Sequence, residues 1–320
     1  MDQIARRSFL TLPAAALAAQ NGNDIPKRLL GRTGVRVSML GVGGHHIGRP
    51  RDAKDGIRII HAAMDAGINF MDNAWDYNNG RSEEVMGEAL AMDGRRSKSF
   101  LMTKLCAREY AEAVKQIDES LKRLQTDHLD LLQFHECNYF NDPEYVIEKG
   151  AMKAALEARK AGKVRFIGFT GHKSPRIHLK MLAIPFEWDS CQMPINVMDE
   201  RFDSFRHEVV PVCQKKNVGV IGMKGCGGDA KMLTAGAVTV EECYRYFLSQ
   251  PVSVQVVGLA TMEHLEGALR MARAFQPMSK TELETLQTRI KDVQSDGRFE
   301  LFKTAKNFDA GYHRKQHGFD

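Results

Sequence analysis

Ser99-Phe-Leu-Met-Thr-Lys104-Leu-Cys-Ala-Arg108-Glu-Tyr-Ala-Glu-Ala113-Val-Lys-Gln-Ile117-Asp-Glu-Ser-Leu121-Lys-Arg-Leu124-Gln-Thr-Asp-His128-Leu-Asp-Leu-Leu-Gln-Phe-His135 reads as strand, helix, strand. Ser99–Leu105 is a short, mostly apolar run of strand length. Glu109–Leu124 has helical periodicity, with Ala113, Ile117, Leu121 and Leu124 on one face. His128–His135 is again an apolar run, carrying Leu129, Leu131 and Leu132. Two such strands joined by a helix pair in parallel, because the helical crossover returns the chain to the same end of the sheet.

The unit repeats on both sides. Upstream, Arg28–Val37 holds two short alternating runs around a glycine-containing turn and predicts a β-hairpin. Val37–Gly43 then predicts a strand and Asp52–Ala66 a helix; Asn69–Ala74 and Ser82–Ala91 follow in the same order. Downstream, Glu144–Ala161 is a helix closed by Gly162, Val164–Phe169 a strand, and a helix starts at Ser174. Ser190–Ile195 with Ser204–Lys216, Val218–Met223 with Glu241–Ser249, and Val252–Val257 with Glu263–Phe275 complete the series. Eight strand–helix units over this length predict an α/β fold of the (β/α)₈ TIM-barrel type. A helical extension after Ser279 and a polar tail, Phe308–Asp320, end the chain. Gly41-Val-Gly43-Gly44 lacks the spacing of a dinucleotide-binding Rossmann turn.

The 320 residues are 43% hydrophobic and 27% charged, enough for a large core. A net charge of +5 without a basic cluster gives no footprint for nucleic acid. None of the six cysteines stands in a C-x-x-C pair, and several lie in apolar runs, so buried free thiols are expected and no metal. The N-terminus is separate in character. Arg6-Arg7-Ser8-Phe9-Leu10 leads into the alanine-rich run Leu10–Ala19, with a small-residue exit before Gln20. Residues 1–19 are therefore expected to be a signal peptide of twin-arginine type, with the barrel occupying 24–320. This implies use of the twin-arginine export machinery and a periplasmic location. The run is too short for a stable transmembrane helix.

In a (β/α)₈ barrel, chemistry lies at the C-terminal ends of the strands. Asp72, Lys104 and His135 end the second, third and fourth strands, and Tyr77 lies in the loop after the second. A lysine cation beside a tyrosine favours proton release from the phenol, and a carboxylate keeps the lysine charged. A histidine can hydrogen-bond a substrate oxygen. Alone, each has a plainer reading: a turn cap, a solvated lysine, a structural histidine. Together they suit protonation of a carbonyl oxygen while a cofactor delivers hydride to carbon.

The segments Asp72-Asn-Ala-Trp-Asp-Tyr77, Phe100-Leu-Met-Thr-Lys104 and Leu131-Leu-Gln-Phe-His135 resemble the three motifs of the aldo-keto reductases. Gly31-Arg-Thr-Gly34, Gly41-Val-Gly43 and Val164-Arg-Phe-Ile-Gly168 extend the resemblance over nearly the whole chain after the leader. The resemblance implies Tyr77 as general acid, Lys104 and Asp72 as its tuning pair, His135 as substrate orienter, and an NADP or NAD cofactor. A small-molecule carbonyl, sugar-like or otherwise, is the implied substrate. Two alternatives stay open: a nicotinamide-binding barrel with a sensor or structural role, and an enzyme that retains and recycles its cofactor.

The cofactor side departs from the family pattern. Thr170 stands where the family offers Ser, and Gly171 where it offers Asn. Gln192 fits the expected amide partner, while Met223 replaces the usual stacking aromatic and Lys224 could meet the pyrophosphate. Gly44 is expected to approach the cofactor. The segment Gly258–Gly267 offers only His264 for a 2′-phosphate, so NADP is favoured over NAD by family habit alone. His45, Trp75 and Tyr139 are expected on the substrate-pocket wall. The sequence does not fix the oligomeric state.

Overall fold

The computed structural model describes residues 25–50, 52–305 and 308–318. The leader expected at 1–19 lies outside the described residues. Strands β1 (Lys27–Leu29) and β2 (Arg36–Ser38) form an antiparallel hairpin. Eight further strands follow: β3 (Leu40–Gly43), β4 (Phe70–Asp72), β5 (Phe100–Leu105), β6 (Leu129–Phe134), β7 (Val164–Thr170), β8 (Ser190–Pro194), β9 (Gly219–Met223) and β10 (Val254–Gly258). They pair in parallel in chain order, and β10 closes on β3. The (β/α)₈ barrel is therefore as expected, and the hairpin precedes it.

The helices follow the expected order, with short helices added at Gly44–Ile47 and Lys231–Thr234 and two expected helices split. The helix expected over 144–161 is two helices, Asp142–Glu148 and Ala151–Lys160. The break falls at Gly150, whose φ of 96° suits glycine. It lets the backbone pair with the loop after β5: Tyr110 N–H donates to Lys149 O and Ala151 N–H to Arg108 O. The helix expected over 204–216 is likewise split into Phe205–Glu208 and Val210–Lys215, with Pro211 at the second start.

Alternation along the strands decides what fills the barrel. β5 turns Phe100, Met102 and then Lys104 inward, while Leu101 and Leu105 pack under the helices. β4 does the same with Phe70 and Asp72, and β6 with Leu131, Gln133 and His135. The floor is thus apolar, and Leu30 and Val37 of the hairpin seal it from below. Phe70 and Phe100 stack there at 5.4 Å between centroids. Two residues higher, the same strands carry the polar groups of the mouth.

The C-terminal extension wraps over that mouth. Lys303, fully buried, donates to Asp199 Oδ1 (2.6 Å), Glu300 Oε2 (2.8 Å) and Phe202 O (2.8 Å). Beyond it, Gly311–Gln316 forms a last short helix. All six cysteines are free thiols, five of them buried. Among the described residues no helix is long and apolar enough to cross a membrane.

Candidate active site

A cavity of about 800 Å³ opens at the C-terminal ends of the strands. Asp72, Tyr77, Lys104 and His135 all line it, as do Thr170, Gln192, Met223 and Lys224. Its volume is that of a cofactor or drug-sized ligand site.

Lys104 is the hub. Its Nζ donates to Asp72 Oδ1 at 2.8 Å and to Asn73 O at 2.7 Å, and lies 3.5 Å from the Tyr77 hydroxyl. The pair with Asp72 is almost fully buried, so the carboxylate offsets the cost of desolvating the ammonium. Asp72 Oδ2 accepts from Gln192 Nε2 at 2.9 Å, which leaves Gln192 Oε1 buried without a partner. Tyr77 packs edge-on between His45 and His135, at 5.1 and 5.4 Å between centroids.

The tyrosine's acidity differs from the simple expectation. Burial, then the carboxylates of Asp72, Asp76 and Glu136, push the Tyr77 hydroxyl well above its ordinary value. The phenol is therefore held protonated in this state. Lys104 is already shared between Asp72 and a backbone carbonyl, so it does not outweigh them.

His135 is set by residues that carried no role in the sequence. Its Nδ1 lies 3.0 Å from Asp76 Oδ1 and 3.4 Å from Cys106 Sγ. Burial opposes ionisation of Asp76, but attraction from His135 prevails and holds the carboxyl below its usual range. Fully buried Arg108 ties the neighbouring loops together: Nε pairs with Asp142 at 2.9 Å, Nη1 donates to Cys106 O and Nη2 to His135 O. Glu136 adjoins them, its carboxyl pushed up to about 7 by burial, against the pull of His135.

The cofactor side is furnished by β7, β8 and β9. Burial lowers Lys224 to about 8, against the pull of Glu136. Its Nζ lies 4.7 Å from the Phe308 ring and 5.5 Å from that of Phe302. At position 171 a Cβ would come within 2.4 Å of Cys137 O, so no side chain fits there. Asn138 takes the polar role nearby: its Oδ1 accepts from His172 N–H, and its Nδ2 donates to Asp309 Oδ1.

Three expected residues lie elsewhere. Gly44 does not line the cavity, although Gly43 does; a Cβ on Gly44 would meet Asp72 O at 2.6 Å, so its smallness serves strand packing. Trp75 turns outward: its indole N–H donates to Glu119 at 2.8 Å and Arg123 covers its ring. Tyr139 stacks on His317 at 4.2 Å and donates to Asp309, again off the cavity wall. His45 does line the cavity. Sequence reasoning missed Asp76, Glu136, His172 and the tail residues Phe308 and Ala310. Asp76 stood inside a quoted motif; the tail residues carried no signal.

The Tyr, Lys, Asp and His set thus stands together at the mouth of a (β/α)₈ barrel. The model of the Aldo/keto reductase family matches residues 39–230, and the chain belongs to that family. An aldo-keto reductase of Alternaria alternata is 30% identical over 250 residues, covering 65% of this chain and 67% of that protein. L-galactose dehydrogenase of Arabidopsis thaliana is 32% identical over 213 residues, covering 62% and 64%. The chain thus spans about half to two thirds of the length of the curated relatives it matches. Among solved structures, an aldo-keto reductase from Bacillus halodurans in its holo form superposes with a TM-score of 0.72 at 23% identity, over 86% of this chain and 99% of that one. An aldo/keto reductase from Klebsiella pneumoniae, solved with NADP and acetate, has a TM-score of 0.68 at 20% identity, over 85% and 97%. Both show the same fold.

Proposed function

We propose that the protein reduces a small carbonyl compound to the alcohol, and the reverse, with a nicotinamide cofactor, and that Tyr77 exchanges the proton. The observation that carries this is the buried Asp72–Lys104 pair with the Tyr77 hydroxyl 3.5 Å from the ammonium, on the wall of one cavity. When bound, the reduced nicotinamide supplies the hydride to the carbonyl carbon. Tyr77, protonated at neutral pH, gives its proton to the carbonyl oxygen as the C=O π pair moves there. Lys104 stabilises the phenolate left behind, and solvent restores its proton. His135 donates to the substrate oxygen in the form that carries a proton on Nε2, the ring nitrogen turned away from Asp76.

The residues present fit the cofactor. Gln192 Oε1, buried and unpartnered, is placed to accept from a carboxamide N–H, with Thr170 beside it. Met223 offers a polarizable face for the ring, and Lys224 a cation for phosphate. NADP is the favoured form by family habit, with the NADP complex of the Klebsiella relative in support and NAD as the alternative. Replacing Tyr77 by Phe should reduce single-turnover carbonyl reduction by about 10²–10⁴-fold while reduced-cofactor binding persists. Full activity in that variant would refute the acid role.

We also propose that residues 1–19 direct export of the folded protein to the periplasm, on the strength of the paired arginines and the short apolar run. Fractionation of cells carrying the full chain should find it outside the cytoplasm. An Arg6→Lys, Arg7→Lys double variant should retain it within.

A further inference from the structure

Asp76, Cys106 and His135 follow three successive strands, β4, β5 and β6, and His313 arrives from the last helix of the chain. One donor atom from each of the four lies within 4.8 Å of every other. His135 Nδ1 is 3.0 Å from Asp76 Oδ1 and 3.4 Å from Cys106 Sγ. The Asp76 oxygen is buried, and its approach is too poorly directed to satisfy it as a hydrogen bond. His313 is fully buried, and neither of its ring nitrogens has a hydrogen-bond partner. Its ring meets His135 edge to face at 5.2 Å, and the Glu136 carboxylate is 3.9 Å away. An unpaired buried imidazole costs free energy, so the cluster carries polar groups that the protein itself leaves unsatisfied.

We propose that Asp76, Cys106, His135 and His313 form a closed site for one divalent transition-metal ion of the zinc type. One thiolate, one carboxylate and two imidazoles are the ligands that Zn²⁺ takes in four-coordinate sites, and are too soft a set for Mg²⁺ or Ca²⁺. Tetrahedral bonds of about 2.0–2.3 Å place ligand atoms about 3.3–3.8 Å apart, so the four donors need only small adjustments to close on an ion. With Asp76 ionised and both imidazoles neutral, binding exchanges the Cys106 thiol proton for the metal: one proton leaves to solvent per ion, and no electron is transferred. The two anionic ligands then balance the double charge in a buried place. The ion fixes the His135 ring through Nδ1 and leaves Nε2 for a substrate oxygen. It also ties the helix Gly311–Gln316 to the barrel mouth. The site stands on these four residues and does not depend on the reductase reading.

The test uses the full chain, stripped with a chelator, dialysed and titrated with Co²⁺ as a spectroscopic stand-in for Zn²⁺. One equivalent should bind with the visible bands of tetrahedral cobalt, a thiolate-to-metal charge-transfer band and release of one proton. Cys106→Ser should abolish the charge-transfer band, and His313→Ala should weaken binding roughly tenfold or more. Zinc-edge X-ray absorption of the wild-type protein reads the ligand shell without any variant. It should show one sulfur at about 2.3 Å and three lighter atoms near 2.0 Å. A six-coordinate shell of light atoms, no stoichiometric uptake, or a charge-transfer band that survives Cys106→Ser would overturn the proposal.

Discussion

Replacing Lys303 by Met should destabilise the protein strongly above neutral pH and measurably less below it. The ammonium holds three hydrogen bonds of 2.6–2.8 Å, two of them to carboxylates, and all three side chains are buried. Burial pushes Asp199 up to about 7, against the pull of Lys303, and Glu300 raises it further. Removing the cation leaves two buried carboxylates without compensation, a loss of about 3–5 kcal/mol. A chain of this size unfolds with an entropy of about 0.6 kcal/mol/K, so the midpoint should fall by about 5–8 °C at pH 8. The sign with pH follows from proton counts. Between the unfolded carboxyl value and about 7, the folded state binds more protons at Asp199, so this group's stabilisation is full at low pH and is lost as pH rises through 7. A variant without the ammonium, in which Asp199 stays protonated to higher pH, should therefore recover part of its loss by pH 6, about 1.4 kcal/mol for the unit between pH 7 and 8. Differential scanning calorimetry at pH 6 and pH 8 measures both numbers. A fall under about 2 °C at pH 8, or the same fall at both pH values, would refute the reasoning that Lys303 compensates buried charge. Lys303→Met combined with Asp199→Asn should restore part of the stability at pH 8.

His178 packs between Phe169 and Phe205, and burial lowers it to about 4. The unfolded chain binds a proton there near 6.5, so stability should decline as pH falls from 6.5 to 4, by up to about 3 kcal/mol; urea titrations of wild type and His178→Gln should differ in that slope. Gln192→Leu removes the donor to Asp72 Oδ2 and the free acceptor Oε1. Fluorescence titration should show reduced-cofactor affinity falling about 5–10-fold, the worth of one hydrogen bond in a buried site. Trp75→Phe should leave KM for carbonyl substrates within about twofold, because the indole binds Glu119 outside the cavity, and should cost about 1 kcal/mol of stability in chemical denaturation.

The barrel was legible because each strand is a short apolar run between helical periods, and β4–β10 fall within a residue or two of their expected bounds. The polar mouth was legible for a related reason. A strand that alternates Phe100, Met102, Lys104 must deliver the lysine to the face that its neighbours fill with apolar floor. What was not legible depends on where loops point. Trp75 sits three residues from Asp72, yet Glu119 on the helix Tyr110–Arg123 draws its indole outward. Tyr139 was placed by its loop, but His317 and Asp309, from the far end of the chain, decide its direction. The break at Gly150 answers to contacts with residues 108–110, which no helical period records.

Two unequal sources build the mouth. The barrel supplies Asp72, Tyr77, Lys104 and His135, all within the span that matches the family model. The wall opposite comes from beyond residue 230: Phe308 and Ala310 line the cavity, and Asp309 holds His172 at 3.0 Å and Lys173 at 3.2 Å. Ala310 N–H donates to Glu136, and His313 reaches His135. The tail therefore meets the mouth at His135 directly, through His313, and at the loops after β6 and β7, through Glu136, His172 and Lys173. A change in the tail would alter the shape and charge of the space beside Tyr77 while the Asp72–Lys104 pair stays in place, since that pair is fixed by Asn73 O and Gln192 within the barrel. Substrate choice should accordingly follow residues 308–313, and the chemistry should follow the strand ends.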